Sequence, residues 1–489
     1  MNKSDHNVFM EFFCNFEKNL ESIKAAFDRD DTLKVKYIKN PNHPEIPMVA
    51  LLSGAMVSND IANRDVIFPL ETNLYEPTPE GAVSGGISCH NLEISTKMDK
   101  AMVQISSGDC VVLIDDYPRC IIIDTKGLAQ RANSVPETEI SLLGPQDGFN
   151  ENIMANIGLL KKRIMSPSLK SEFMTIGRQA NNKVAICYLD GVARLELVDE
   201  IKHRLSKIDI DFIPDGNTLG ELIRDYPRAL FKTIGKTSRP DVLASKIAEG
   251  RIGIILDGSP VALTAPYIFA ESFQSPDDYY QSFLYANIGR VLRILGFLIA
   301  VFLPGIYIAV VNFNPGVLPP HWLYTIMASS QGVPIKTITE MLLLFLAFEI
   351  LRETGSRMPS GLGLALNVVG AVILGDAAVN SNIASTPMVI IVAFSGVTGL
   401  MVKDIKGPVF YLRIASILFG AIFGLPGISA VFVVMLMHLA SIDSMGIPYL
   451  YTLGKKSGKQ DTLFRVPYWR MLWRQRAFTQ NERRQQWKK

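Results

Sequence analysis

Two patterns of apolar and polar positions divide the chain near Arg293. After it, apolar residues run on with few interruptions. Six stretches read as membrane-spanning helices: 294–312, 337–351, 362–383, 386–402, 409–425 and 427–442. Crossing a bilayer takes about 20 mostly apolar residues. The second and sixth stretches are short, and Pro426-Gly427 either separates two helices or kinks one, so four to six crossings are expected. Before Arg293 the apolar residues come in short runs bounded by turn residues, the mark of buried strands, between stretches of helical spacing. In 193–207, positions 195, 198, 201 and 205 make one helical stripe. Residues 145–175 read as a helical connector and 276–293 as the helix that enters the membrane.

The first half repeats itself. DKAMVQISSGDCVVLIDDYPRCIII, from Asp99, aligns without a gap on DVLASKIAEGRIGIILDGSPVALTA, from Asp241, at an offset of 142 residues. Identities fall at Asp99/Asp241, Ile105/Ile247, Gly108/Gly250, Asp115/Asp257 and Pro118/Pro260. Each copy reads as a helix closed by Gly, a strand, a tight turn and a second strand. Upstream, MVALLSGAM from Met48 resembles AICYLDGVA from Ala185 at an offset of 137, each strand ending at Gly54 or Gly191. The expected fold is an α/β cytoplasmic region of two duplicated subdomains followed by an α-helical multi-pass membrane domain. Its divisions are an N-terminal helical segment (1–40), subdomain 1 (41–140), a helical connector (141–180), subdomain 2 (181–275), the transmembrane domain (276–452) and a basic cytoplasmic tail (453–489).

Charge supports that division. The 489 residues carry a formal net charge of +2, which hides −7 over 1–293, equal numbers of each sign over 294–446 and +9 over 447–489. A mean hydropathy of +0.20 excludes a disordered or collagen-like chain. Arg290 and Arg293, Arg352 and Arg357, Lys403, Lys406 and Arg413, and the basic tail mark alternate junctions, whereas 313–336 carries only Lys336. By the positive-inside rule both termini face the cytoplasm. The five cysteines, Cys14, Cys89, Cys110, Cys120 and Cys187, fit no zinc or CxxC spacing and suit a reducing compartment. The N-terminus lacks the apolar run of a signal peptide.

Candidate chemistry is confined to polar groups within the apolar half. Glu340, Glu349, Arg352, Glu353 and Asp376 would be costly against lipid, so they should face protein or water. Glu349 can meet Arg352, and Glu353 can meet Arg357, on one helix face. These four either mark the end of the second span or belong to an ion or ligand path. Asp376, with Asn380 one turn on, is a packing polar group or a pore or gate residue. His438 reads as a hydrogen-bonded packing residue, and Gly363, Asn367, Ala371 and Gly375 as a close-packing ladder. No GxxxxGK[ST], HExxH, GxSxG or strand-linked GxGxxG motif occurs, so no enzyme, catalytic residue, metal or cofactor is expected. The tail, with Trp469, Trp473 and Trp487 among its arginines, suits anionic headgroups more simply than nucleic acid.

The chain resembles the A subunits of the GerA-type spore germination receptors from about residue 145 to 452. DGFNENI (147–153), RPDVLASKIAEGR (239–251), FQSPDDYY (273–280) and LPGIYIAVVNF (303–313) carry the resemblance. It continues through VPIKTITEMLLLFLAFEILRETGSRMP (333–359), GAVILGDAAVNSNIAS (370–385) and SMGIPYL (444–450). The family usually has Gln where this chain has Asp376, and departures also occur at Ser238 and Ile335-Lys336. The resemblance implies a multi-pass subunit of the inner spore membrane that works with a transporter-like B subunit and a lipoprotein C subunit. It further implies a homo-oligomer forming an ion-conducting pore, with Glu340 and Asp376 as candidate polar groups beside the path. Two other readings stay open, a self-sufficient secondary transporter and a non-conducting membrane scaffold. The first should show an inverted repeat in the membrane half, and 294–446 has none.

Overall fold

The computed structural model describes residues 10–89, 91–127, 139, 141, 143–357, 375–451 and 460–481. Strands β1 (Leu33–Ile38), β2 (Met48–Ser53), β3 (Leu92–Ser95), β4 (Cys110–Ile114) and β5 (Cys120–Ile123) form an antiparallel sheet ordered β1-β2-β4-β5-β3. The strands β6 (Leu169–Ile176), β7 (Asn182–Leu189), β8 (Gly235–Thr237), β9 (Ile252–Leu256) and β10 (Ala262–Ala265) repeat that order as β6-β7-β9-β10-β8. The duplication is therefore one of topology as well as sequence.

Register corrects one part of the alignment. Val49 pairs with Leu113 and Ala185 with Ile255, which sets the offset between β2 and β7 at 136 against 142 for β4 and β9. An offset of 137 would turn every side chain of the strand to the opposite face. Gly54 and Gly191 match as turn residues, and turns can differ in length by one residue while the strand register cannot.

Strands β2 and β4 are buried along their whole length, because helices cover both faces of the sheet. That is why MVALLS and CVVLI are continuous apolar runs rather than alternating ones. On one face lie α1 (Phe16–Ala26) and α2 (Met98–Ser107), packing Ile23 and Ile105 on Val49 and Val111. On the other, Val66, Leu70 and Tyr75 meet Ala50 and Val112. The second sheet is clad in the same way. Helices α3 (Ile153–Arg163) and, later in the chain, α6 (Pro240–Ala248) cover Ala185 and Ile255. Helices α4 (Leu195–Ser206) and α5 (Gly216–Ile223) cover Ile186 and Ile254. The helix-closing glycines Gly108 and Gly250 adopt matching φ of 101° and 99°, a conformation that carries no Cβ penalty only for glycine.

Two expected boundaries shift. The connector 141–180 is helical only at α3, and its end is β6, the first strand of the second sheet. Likewise 1–40 holds β1 beside α1. Both strands lie at sheet edges and are partly exposed, so neither has the continuous apolar run that marks the inner strands. The two α/β units join at a buried ion pair, Lys161 Nζ to Asp30 Oδ2 at 2.7 Å, each side chain at most 3% exposed. Thr32 and Ser53 complete the ammonium's hydrogen bonds.

The C-terminal part is helical: α7 (Phe283–Phe313), α8 (Pro320–Ser330), α9 (Thr337–Arg357), α10 (Thr386–Leu400), α11 (Lys406–Phe423) and α12 (Leu425–Ser441). Among the described residues, two helical stretches are long and apolar enough to cross a membrane, Phe283–Phe313 and Lys403–Phe423. Helices α10 and α12 are apolar but shorter, and α9 carries five charged residues. The stretch 362–383 falls mostly outside the described residues. A 3-10 turn, Pro276–Tyr279, precedes α7, so the helix begins later than the pattern of 276–293 suggests. Gly424, at φ 66°, separates α11 from α12, and Pro426 fits the first turn of α12.

Replacing Lys161 by Met should destabilise the full-length protein by about 3–5 kcal/mol, because Asp30 is left charged and buried. Adding Asp30→Leu should recover most of that loss in thermal unfolding of the detergent-solubilised chain.

Candidate functional site

The junction between the α/β region and the helices is built on charge. Asp278 lies in the 3-10 turn before α7 and is fully enclosed. Its Oδ2 accepts from Arg290 Nε at 3.0 Å and Arg293 Nη1 at 2.9 Å, and its Oδ1 from Arg293 Nη2 at 2.7 Å. Arg290, itself fully buried, turns its Nη1 to Asp461 Oδ1 at 2.9 Å. Asp461 Oδ2 accepts from the Tyr279 hydroxyl at 2.6 Å. Arg465 then bonds the carbonyls of Asp278 and Gln281, while its own backbone exchanges two hydrogen bonds with the Asn287 amide. Asp461 and Arg465 belong to the C-terminal segment, so the tail does not simply trail from the last helix. Residues 460–481 return across the base of α7 to the second α/β unit, where Phe478 enters the core and Thr479 bridges Ala193. Trp469 and Trp473 remain exposed.

Beside Phe478 lies a second buried set. Glu271 Oε1 accepts from Arg251 and from the Ile268 backbone, and its Oε2 from Lys246. The Arg251 guanidinium stacks 4.3 Å from the centre of the Phe478 ring. Burial pushes the Glu271 carboxyl up, yet Arg251 and Lys246 outweigh it and hold it below its ordinary value of 4.5.

Within the apolar helices one backbone break organises the polar groups. Pro304 sits inside α7 and has no N–H to give the carbonyl four residues earlier, that of Ala300. Arg413 Nε donates to that carbonyl at 2.6 Å, and Ser395 Oγ donates to it at 3.2 Å. Arg413 Nη2 also bonds Ser395 O at 3.0 Å, and its Nη1 lies 3.6 Å from Glu349 Oε1. One buried guanidinium thus ties together α7, α9, α10 and α11. The helices come close enough for this because a Cβ on Gly305 or Gly420 would collide with the other helix's backbone.

The five candidate residues separate in this arrangement. Glu349 pairs with Arg352 on its own helix and faces Arg413 on α11. Glu353 pairs with Arg357 at 2.7 Å on the exposed side. Glu340 lies apart, buried, its Oε1 accepting from the Ser385 backbone at 2.6 Å and hydroxyl at 2.7 Å, where it caps the start of α10. Asp376 is exposed on the helical segment 375–380, and Gly363, Asn367 and Ala371 lie outside the described residues. His438 accepts from Leu230 N at 3.4 Å, a packing contact. The charge pattern groups Arg413 with the flanking residues Lys403 and Lys406, although it falls four residues inside the stretch 409–425. That position, with Pro304 inside 294–312, was the available signal. Among the described residues no group of three or more His, Cys, Asp or Glu could hold a metal ion.

Residues 21–477 match the family described as Bacillus/Clostridium GerA spore germination protein. The chain belongs to that family. Spore germination protein KA of Bacillus subtilis (strain 168) is 33% identical over 464 residues, covering 92% of this chain and 84% of its own. Spore germination protein A1 of the same organism is 36% identical over 372 residues, 75% and 77% of the two chains. A crystal structure of the N-terminal domain of the A subunit of the Bacillus megaterium spore germinant receptor GerK3 aligns with 53% of this chain and 98% of its own, at 24% identity and a TM-score of 0.41. The family match over 21–477 extends the resemblance drawn from 145–452 across the first α/β unit and into the tail of this GerA-family chain.

Replacing Arg413 by Met should cost about 1–3 kcal/mol, because it leaves the Ala300 carbonyl only its longer bond from Ser395 Oγ and removes the donor to the Ser395 carbonyl. Adding Pro304→Ala restores a backbone N–H to the Ala300 carbonyl and should recover part of the loss in thermal unfolding; no recovery would mean that Arg413 acts elsewhere. Glu271 should stabilise the fold above pH 4.5, with the contribution lost as pH falls through its lower folded value. Glu271→Gln should flatten that acid limb of the stability profile and lower stability at neutral pH.

Proposed function

We propose that this GerA-family chain is the A subunit of a nutrient-responsive germination receptor in the inner spore membrane. It crosses the bilayer several times with both termini in the cytoplasm, and it homo-oligomerises into an ion-conducting pore. A transporter-like B subunit that binds the nutrient and a lipoprotein C subunit complete the complex. The family match over 21–477 carries this reading. The polar groups of the apolar helices agree with it, since Glu340, Glu349 and Arg413 face protein partners, as ionisable groups in spanning helices do. The spans beyond α7 and α11 are α9, α10 with its following turn, α12 and the stretch 362–383. No enzymatic step, cofactor or metal is part of the proposal.

In this reading Asp376, Glu340 and the Glu349–Arg352–Glu353 group are the candidate polar groups of the path and its gate. The joint of Asp278, Arg290 and Asp461 links the cytoplasmic units to α7.

Spores lacking the gene should fail to release ions in response to one nutrient of a panel of amino acids, sugars and nucleosides, and complementation should restore the release. Asp376→Asn and Glu340→Gln should alter the rate of ion release while the complex still assembles. An unchanged rate in both would remove these two residues from the path.

A further inference from the structure

Helix α8 serves no role in the site described above, and its surface is unusual. From Arg293 to Lys336 the sequence contains no Asp, Glu, Lys or Arg between the two. No residue of α8 is fully buried, and Trp322, Tyr324 and Met327 are 63%, 74% and 57% exposed. Leu323, Ile326 and Ser329 form the half-buried side. An uncharged helix with large apolar and aromatic side chains this open is not a surface that water covers at little cost.

We propose that α8 lies in the membrane–water interface on the side opposite the α/β units, with Trp322 and Tyr324 among the lipid headgroups. This rests on the multi-pass reading given above. The position follows from helix geometry. From Arg293 to Phe313, α7 rises about 30 Å at 1.5 Å per residue, the thickness of a hydrocarbon core. Arg293 is held at one boundary by Asp278, so the chain leaves α7 at the other boundary and α8 begins there. Eleven residues rise only about 16 Å, too little to cross again. Trp and Tyr combine an apolar ring with a polar handle and concentrate at the headgroup level. The helix lies between two elements fixed in the bundle. Ala300 on α7 is bonded by Arg413, and Glu340 near the start of α9 is bonded by Ser385.

The test uses the full chain with Trp469, Trp473 and Trp487 changed to Phe, which leaves Trp322 as the reporter. It is reconstituted into phosphatidylcholine vesicles carrying bromines either near the headgroup or deep in the acyl chain. Shallow bromines should quench Trp322 more strongly than deep ones, and aqueous iodide should quench it weakly. Strong iodide quenching with no bromine effect places α8 in water and overturns the proposal. Screening from both quenchers means that protein, a second copy or a partner subunit, covers the helix, which also overturns it.

A second reporter separates the two readings. Leu418 is 38% exposed on α11 and lies between Ser416 and Gly420, which pack on Gly305 in the middle of α7. With Trp322 also changed to Phe, Leu418→Trp should be quenched more by deep than by shallow bromines or by iodide. If Leu418→Trp is quenched from the bilayer and Trp322 is not, only the interfacial placement fails. Should neither respond to bromine, the spanning arrangement itself fails.

Discussion

A guanidinium taken out of water needs its counter-charges delivered to it, and Arg290 is the place where this chain meets that demand. The side chain is fully buried at the base of α7, and the carboxylates that neutralise it come from Asp278, just before the helix, and Asp461, far beyond it. Removing either would leave a buried charge short of a partner, a cost of several kcal/mol. The 3-10 turn, the first turns of α7 and the C-terminal segment are therefore fixed by one another. The same segment carries Phe478 into the core of the second α/β unit. A displacement of that unit would pull on the base of α7 through two routes, the direct link at 276–283 and the returning tail.

A similar logic holds deeper in the helices. Pro304 deprives the Ala300 carbonyl of its usual donor, and an unpaired carbonyl in an apolar bundle is costly. Arg413 meets that need, but a guanidinium has more donors than one carbonyl can use. A second donor goes to the Ser395 carbonyl, and the carboxylate of Glu349, 3.6 Å away, offsets the charge. One irregularity in α7 thus accounts for a polar cluster that reaches four helices. The small residues Gly305 and Gly420 matter because they let the helices approach closely enough for that cluster to form.

The two α/β units share a topology and have different neighbours. The first packs both faces of its sheet with its own helical segments. The second borrows: Met445, Ile447, Ala477 and Phe478 come to its core from beyond the apolar helices. Its loops also join the aromatic cluster of Phe231, Phe273 and Tyr449 that packs on Phe297 of α7. The duplication supplied two copies of a fold, and the second became the one that couples to the helices.

The apolar runs by themselves determined the inner strands, the repeat and most helices, because a strand covered on both faces and a mostly apolar helix leave a continuous signature whatever the neighbours are. Glycines at positive φ marked the helix ends for the same local reason. What only the tertiary structure decided were the edge strands β1 and β6, whose half-exposed patterns resemble loops, and the register of β7, which depends on the facing strand. It also decided every long-range ion pair. Lys161 with Asp30, Arg251 with Glu271 and Arg290 with Asp461 are separated by 20 to 171 residues, and a charge in the sequence does not state which distant charge it will meet. Arg413 looked like a flanking residue until the fold brought the orphaned carbonyl of Ala300 to it.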